Sequence, residues 1–153
     1  MKPAVLFVCL GNICRSPLAE AAFRAEAARA GLAAVADSAG TADYHVGEPP
    51  DPRAIRTAAK FGIDLAGYRG RQAEAADFTR FSHIFALDQS NLANLGRVAP
   101  AAHTAHLALL LDLVPGREGQ SVADPWYGAE EDFEVTWDEV SAAARGLVEL
   151  LRR

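Results

Sequence analysis

The segment 9–17, Cys-Leu-Gly-Asn-Ile-Cys-Arg-Ser-Pro, contains the residue types that phosphate chemistry needs. The thiolate of Cys9 would be a nucleophile, and the planar guanidinium of Arg15 can bind two phosphate oxygens at once. Between them, Gly11 and Asn12 tolerate the left-handed backbone conformation of a tight turn. Such a turn directs successive N–H groups into one concavity that binds an anion. The segment therefore predicts a phosphate-binding loop.

The chemistry of this loop depends on the state of its thiol. Backbone N–H dipoles and the guanidinium of Arg15 would favour the thiolate form of Cys9. Attack on a phosphate ester would give a phosphocysteine, and Ser16 could donate to the sulfur as it leaves again. The alternative is a buried thiol at a strand end beside a solvated arginine. The strand, turn and helix signals around the segment favour the first interpretation.

Strands and helices alternate along the chain and would position the loop. The apolar run 4–9 predicts a strand buried on both faces. Ser16 and Pro17 have the residue types of an N-cap and a first helical residue, and Gly31 would end that helix. Further strands are predicted at 34–38, 83–88 and 106–111, and further helices at 51–62, from residue 89 and from 134 to 151.

This alternation indicates an α/β fold, a small parallel sheet flanked by helices on both faces. Ligands of such sheets bind beyond the carboxyl ends of the strands, and Cys9 would lie at such an end. A chain of 153 residues fits a single domain spanning 1–153.

Composition excludes several classes of function. A net charge of −5 argues against a nucleic-acid-binding surface. No apolar run is long enough for a signal peptide or a membrane span, and two close cysteines make a poor disulfide framework. We therefore expect a cytoplasmic protein with no membrane partner. The four histidines are scattered and Cys9 and Cys14 lack zinc-ligand spacing, so no metal site and no cofactor are expected.

Asp124, followed by Pro125, is the candidate general acid and base. Expelling a phenolate is easier when a carboxylic acid protonates it, because the pKa of a phenol is about 10. The same carboxylate could then accept a proton from the attacking water. An Asp-Pro pair on its own is more often only a turn.

The chain resembles the low-molecular-weight protein tyrosine phosphatase family. The resemblance rests on Cys9-x5-Arg15-Ser16-Pro17 near the start and on Asp124-Pro125 near the end of the chain. The segments 38–41 (Ser-Ala-Gly-Thr), 51–53 (Asp-Pro-Arg) and 87–91 (Leu-Asp-x-x-Asn) also resemble family segments, so it covers essentially the whole chain.

This resemblance implies a metal-independent phosphatase with a four-stranded parallel sheet. It implies hydrolysis of phosphotyrosine and small aryl phosphates, with Cys9 as nucleophile, Arg15 as phosphate clamp and Asp124 as general acid and base. Phosphotyrosine proteins would be the partners, among them an autophosphorylating bacterial tyrosine kinase. The residues expected to bind substrate are Leu10, Gly11, Asn12, Ile13, Cys14, Ser16, Tyr44 and Trp126, and those expected to support the loop are Asn12, Ser38 and Tyr68.

Several of these residues have a plainer alternative. Tyr44 and Trp126 could be local packing rather than walls for an aryl group, and Ser38 could be a turn serine. Cys14 could form a disulfide with Cys9 that protects it from irreversible oxidation, or be a small buried residue.

Two positions depart from the family pattern. Tyr68 stands where the family commonly has a histidine, in a Gly-Tyr-Arg segment, and we expect loop support to survive with an altered pH dependence. Glu48 could repel acidic phosphopeptides if it faces the substrate, or could be a surface residue without a role.

Three other functions compete with tyrosine dephosphorylation. A thioredoxin-coupled arsenate reductase would need cysteines beyond Cys14, and the chain has none there. A phosphoarginine phosphatase would resemble a loop with threonine in place of Ile13, whose bulk should crowd that substrate. A catalytically silent phosphate binder would not need Cys9, Arg15 and Asp124 together.

Overall fold

The computed structural model describes residues 2–153 and contains a sheet of four parallel strands in the order β2-β1-β3-β4. The strands are β1 (Ala4–Cys9), β2 (Val35–Gly40), β3 (His83–Ala86) and β4 (His106–Leu109). The helices are α1 (Arg15–Arg29), α2 (Pro52–Ala59), α3 (Asp77–Arg80), α4 (Gln89–Val98) and α5 (Glu130–Arg152), and a 3-10 turn at Leu110–Leu113 follows β4. The predicted α/β fold is confirmed.

Side chains of β1 alternate between two apolar layers, one on each face of the sheet. Val5 and Phe7 belong to the layer that includes residues of α1 and α5, and the ring of Phe7 lies 5.8 Å from that of Phe23. Leu6 and Val8 belong to the other layer, which includes residues of α3 and α4. Because both faces are covered, β1 needs an uninterrupted apolar sequence, and that made it recognisable.

The start of α1 differs from the prediction. The helix begins at Arg15 with Cys14 in the N-cap position, and no side chain caps it. The Ser16 hydroxyl instead lies 3.0 Å from the sulfur of Cys9 and accepts a hydrogen bond from the Asn12 side chain. The predicted Ser16 cap is wrong because the hydrogen bonds of the loop use that hydroxyl.

Other boundaries also differ from the sequence-based expectation. Helix α5 begins at Glu130 rather than near residue 134, since its acidic first turn suits the positive end of a helix dipole. Strand β3 ends at Ala86 because Asp88 caps α4, its carboxylate accepting a hydrogen bond from the Asn91 N–H at 2.7 Å. The short helix α3 was not predicted. Within residues 2–153, no helix is both long and apolar enough to cross a membrane.

Candidate active site

The loop of residues 9–15 leaves β1 at its carboxyl end and turns at once into α1. Asn12 has φ of 59° and is the one non-glycine residue of 2–153 in the left-handed region. Gly11 is not in that region, so its lack of a side chain has another cause. A Cβ at Gly11 would lie 3.0 Å from Cδ2 of His45, and one at Gly40 would lie 2.7 Å from the carbonyl oxygen of Leu10.

Hydrogen bonds from three parts of the chain hold Asn12 in this conformation. Its Nδ2 donates to the hydroxyls of Ser16 at 2.8 Å and Ser38 at 3.0 Å. Its Oδ1 accepts from the backbone N–H of Arg71 at 3.0 Å. The structure therefore brings Asn12, Ser16 and Ser38 together beneath the loop, and Asn12 and Ser16 do not line the cleft above it.

The thiol of Cys9 lies at the base of the loop, with the residue only 3% exposed. The N–H of Asn12 donates to its sulfur at 3.3 Å, and the Ser16 hydroxyl is 3.0 Å from it. That hydroxyl has one proton, which can go to the sulfur or to the Ala39 carbonyl at 3.4 Å. The sulfur therefore has two polar groups against it, one on the backbone and one on a side chain.

Arg15 is also 3% exposed, and its guanidinium is anchored on one side. Nη1 donates to Oδ2 of Asp88 at 2.8 Å and to the Val122 carbonyl at 3.1 Å. Burial acts to lower the pKa of Arg15, but Cys9, Asp88 and Asp124 together raise it above its usual value. The guanidinium therefore stays charged and faces the cleft with its remaining N–H groups.

Asp124 lies across the cleft from the loop. Its Oδ2 is 3.5 Å from Nη2 of Arg15, and its Oδ1 accepts a hydrogen bond from the Trp126 N–H at 3.1 Å. The side chain is 43% exposed, in contrast to the buried thiol and guanidinium. It can therefore exchange a proton with a bound ligand or with water.

A cleft of about 220 Å³ lies between the loop and the Asp-Pro segment, residues 124–128. Its opening is formed by an aromatic rim, defined here as Tyr44, His45, Trp126 and Tyr127. The rings of His45 and Trp126 are tilted against each other with centroids 6.1 Å apart. The full lining is Cys9, Leu10, Gly11, Ile13, Cys14, Arg15, Tyr44, His45, Asp124, Trp126 and Tyr127.

Tyr68 is half-buried and packs against the larger apolar layer. Within residues 2–153, no hydrogen bond joins its hydroxyl to the loop. The amide oxygen of Asn12 accepts its hydrogen bond from the N–H of Arg71 instead. Burial, and after it the charge of Glu20, raises the pKa of Tyr68 above its usual value, so the phenol stays neutral.

Glu48 and Cys14 also lie near the site. The carboxylate of Glu48 is 3.0 Å from Nδ1 of His45, and Glu48 is not among the residues lining the cleft. The Cys14 thiol is buried, and this burial, with the nearby charge of Asp51, raises its pKa well above the usual range. Cys14 is therefore a neutral thiol on the same loop as Cys9.

Sequence reasoning missed some of the residues that build this site. Asp88 was noted only as part of a family-like segment, although its carboxylate anchors Arg15 from 73 residues away. His45 and Tyr127 line the cleft but carried no spacing signal. The backbone N–H of Arg71 could not have been found, because a backbone donor leaves no trace in residue types.

A family model described as "Low molecular weight phosphotyrosine protein phosphatase" matches residues 4–153. The chain belongs to this family. A member from Schizosaccharomyces pombe is 46% identical over 132 residues, which are 84% of this chain and 84% of the relative. The predicted resemblance is thereby confirmed.

Solved structures of similar proteins agree with this assignment. The crystal structure of YfkJ from Bacillus subtilis is 37% identical with a TM-score of 0.91, over 99% of this chain and 96% of that one. The structure of DARP, a drosophila arginine phosphatase, is 30% identical with a TM-score of 0.92, over 100% of this chain and 99% of that one. The overall fold is thus shared with a protein that is named an arginine phosphatase.

Proposed function

We propose that the chain hydrolyses phosphotyrosine in proteins, and small aryl phosphates, through a phosphocysteine intermediate. The observation that carries this proposal is the meeting of three groups at one cleft. The Cys9 sulfur lies at its base, the anchored guanidinium of Arg15 beside it, and the Asp124 carboxylate opposite, 3.5 Å from that guanidinium.

Binding of the phosphoryl group would use charges that are already fixed in place. The free N–H groups of Arg15 and the backbone N–H groups of the loop would donate hydrogen bonds to the phosphoryl oxygens. Because Asp88 and Val122 hold the guanidinium from behind, little ordering is needed when the dianion binds. The bound phosphorus would then lie above the Cys9 sulfur.

In the first step, the thiolate of Cys9 attacks phosphorus. An S–P bond forms, the P–O bond to the phenol breaks, and protonated Asp124 gives its proton to the phenol oxygen. A positioned acid of this kind contributes about 10²–10⁴-fold to the rate. The products are a neutral phenol, a phosphocysteine and the Asp124 carboxylate.

In the second step, water attacks the phosphocysteine. Asp124 takes a proton from the water, the S–P bond breaks, and the thiolate leaves. The Ser16 hydroxyl, 3.0 Å from the sulfur, would stabilise the charge that returns to it. Inorganic phosphate leaves the loop, and the protonated Asp124 is ready for the next cycle.

The walls of the cleft favour an aromatic substrate. Tyr44 and Trp126 expose their rings at the opening, and Leu10 and Ile13 add apolar surface. A phosphotyrosine could span from these rings to the Cys9 sulfur, whereas a phosphoserine would be too short to contact them.

We further propose that the natural substrates are phosphotyrosine proteins, with an autophosphorylating bacterial tyrosine kinase as a candidate. Cys9 and Cys14 are both free thiols, and the cytosol keeps such thiols reduced, which supports a cytoplasmic location. We infer that residues 1–153 act as a single domain, since residues 9–15 and residues 124–127 line the same cleft.

The test is hydrolysis of a phosphotyrosine peptide in EDTA by the wild type, Cys9→Ser and Asp124→Asn. We expect wild-type turnover in the chelator, none with Cys9→Ser and a loss of about 10²–10⁴-fold with Asp124→Asn. Phosphate released by Cys9→Ser at the wild-type rate would contradict the proposal.

Phosphoarginine is the comparison substrate in the same assay, because one structural relative is named an arginine phosphatase. Ile13 lines the cleft beside Cys9, and its bulk favours the aryl ester. A higher kcat/KM for phosphoarginine than for phosphotyrosine would replace the proposed substrate while keeping the same chemistry.

A further inference from the structure

Arg53, the second residue of α2, holds the Asp-Pro segment from another part of the chain. Its Nη1 donates to the Gly128 carbonyl at 2.9 Å and its Nη2 to the Trp126 carbonyl at 3.0 Å. Its guanidinium carbon also lies 4.6 Å from the centre of the Phe133 ring. One side chain thus binds two carbonyls of the segment that carries the proposed acid.

The other side of the Arg53 guanidinium is fixed by Asp51. The Oδ1 of Asp51 accepts from Nε at 3.1 Å and its Oδ2 from Nη2 at 2.9 Å. Burial acts to raise the pKa of Asp51, but the hydrogen bonds and charge of Arg53 outweigh it, so the pKa lies below its usual value. Asp51 is therefore ionised at neutral pH and keeps Arg53 in one orientation.

Asp51 also reaches the phosphate loop. Its backbone N–H donates to the Ile13 carbonyl at 2.8 Å. The pair of Asp51 and Arg53 therefore forms a bridge between the loop that carries the nucleophile and the segment that carries the acid. Arg15 also joins the two loops, through its contact with Asp124 at 3.5 Å and its hydrogen bond to the Val122 carbonyl, and Arg53 adds a second connection at Trp126 and Gly128.

Trp126 connects Arg53 to Asp124 through two backbone hydrogen bonds. Its carbonyl accepts from Arg53, and its N–H donates to Oδ1 of Asp124 at 3.1 Å. Because the Asp124 side chain is 43% exposed, packing alone does not determine where the carboxylate lies. A shift of about 1 Å in a reacting group can cost on the order of 10²-fold in rate.

We propose that Arg53 is a positioning residue that keeps Asp124 at proton-transfer distance from the leaving group. This inference rests on the proposed function. It assigns to the Asp-Pro-Arg segment a role in the acid step rather than in phosphate binding, because none of its side chains lines the cleft.

The test compares two aryl phosphates in wild type and Arg53→Met, which keeps the length of the side chain but not its donors. Phenyl phosphate releases a phenol that needs a proton, whereas 2,4-dinitrophenyl phosphate releases an anion that is stable without one. We expect kcat/KM for phenyl phosphate to fall about 10- to 100-fold and that for the dinitrophenyl ester to fall less than about threefold. Equal losses on both substrates, or no loss, would overturn the proposal.

Two further variants control for charge and folding. Arg56→Met removes a cation from the same helix, where it pairs with Glu130 on the surface, and should leave both rates within twofold of wild type. Arg53→Lys keeps the charge but cannot bind Asp51 and both carbonyls at once, so it should lose an intermediate amount on phenyl phosphate only. Should Arg53→Met fold poorly, Arg53→Lys gives the same discrimination.

A double-mutant cycle separates positioning from a general effect. In an Asp124→Asn background, Arg53→Met should cost less than about twofold on phenyl phosphate, since there is no acid left to position. A full additional loss in that background would overturn the proposal.

Hydrogen exchange at the Trp126 N–H gives a readout that does not depend on turnover. We expect exchange to rise at least tenfold in Arg53→Met and to stay unchanged in Arg56→Met. Unchanged exchange in both would overturn the positioning role. If the wild type hydrolyses neither ester, the proposed function fails, while the exchange measurement still decides whether Arg53 holds the segment.

Discussion

The phosphate loop and the Asp-Pro segment meet at one cleft but are held in different ways. In the loop, Cys9 and Arg15 are each 3% exposed, and the side chain of Asn12 forms three hydrogen bonds to residues of other elements. In the segment, the Asp124 side chain is 43% exposed and Tyr127 is 94% exposed. A nucleophile and a phosphate clamp gain from burial in a preorganised site, whereas a group that exchanges protons needs access to water.

The largest loss of activity is expected for substitution of Arg15, the guanidinium of the loop. Arg15→Lys would place a single ammonium where a planar fork now contacts Asp88 and Val122 and leaves further donors for phosphate. We expect kcat/KM for a phosphotyrosine peptide to fall at least about 100-fold. The measurement is steady-state kinetics against Arg24→Lys, a cation on the same helix that pairs with Glu20 away from the cleft. A loss below tenfold would mean that the fork is not needed.

The rigidity of the loop can be measured separately from its chemistry. Asn12→Ala would leave buried donors and acceptors unpaired and would keep a Cβ at φ of 59°. We expect the free energy of unfolding to fall by about 2–4 kcal/mol, from lost hydrogen bonds and left-handed strain. That loss corresponds to a fall in Tm of roughly 4–16 °C for a chain of this size.

Two variants sharpen that measurement. Asn12→Gly accepts the left-handed conformation without strain. The difference in the free energy of unfolding between Asn12→Gly and Asn12→Ala therefore gives the part of the loss that is due to strain. Asn94→Ala removes a surface asparagine that pairs with Arg97 and should change stability by less than about 0.5 kcal/mol. Equal stability of Asn12→Ala and wild type would show that the loop is not held by this network.

At the exposed opening of the cleft, substitutions should change substrate binding and not stability. Tyr44 is 69% exposed at the opening of the cleft. We expect Tyr44→Ala to raise KM for the phosphotyrosine peptide about 3- to 10-fold with Tm nearly unchanged, since one stacked ring contributes roughly 0.5–1.5 kcal/mol. Phe61→Ala is the matched control, as Phe61 is an exposed ring that stacks on Trp137 outside the cleft. A similar KM in both variants would place the substrate elsewhere.

The smallest effect is expected at the opposite end of the sheet, where His83 and His106 begin β3 and β4. Burial, and then the neighbouring His106, lowers the pKa of His83 below its usual value. The unfolded chain, with a histidine pKa of about 6.5, therefore takes up this proton first, and stability falls as pH drops below about 6.5. Above that pH the group has no effect on stability.

Urea unfolding between pH 8 and pH 5 checks this expectation. We expect His83→Gln to lose part of the slope below pH 6.5, and His106→Gln to lose a smaller part. Parallel curves for wild type and His83→Gln would contradict it. The result also separates acid effects on the fold from acid effects on catalysis, because these histidines lie far from Cys9 along the strands.

Sequence alone predicts the phosphate loop better than the contacts that hold Arg15 and the Asp-Pro segment. The apolar run of β1, the thiol, the turn and the arginine lie within residues 4–15, so neighbouring residues encode the loop. The anchor of Arg15 at Asp88 and the hold of Arg53 on Trp126 each join residues 73 positions apart. Spacing along the chain carries no signal for such contacts. The predicted Ser16 cap was wrong because the Ser16 hydroxyl contacts Cys9 and Asn12 instead.

The order of these contacts along the chain has a consequence for a polypeptide that is still being synthesised. The thiol, the turn and the first helix emerge early, but Asp88, Val122 and Asp124 follow much later. Helix α5, which packs against α1, comes last of all. A nascent chain can thus expose Cys9 without a fixed cation beside it and without an acid. Ribosome-bound intermediates should therefore be inactive toward phosphate esters at least until Asp124 has been synthesised.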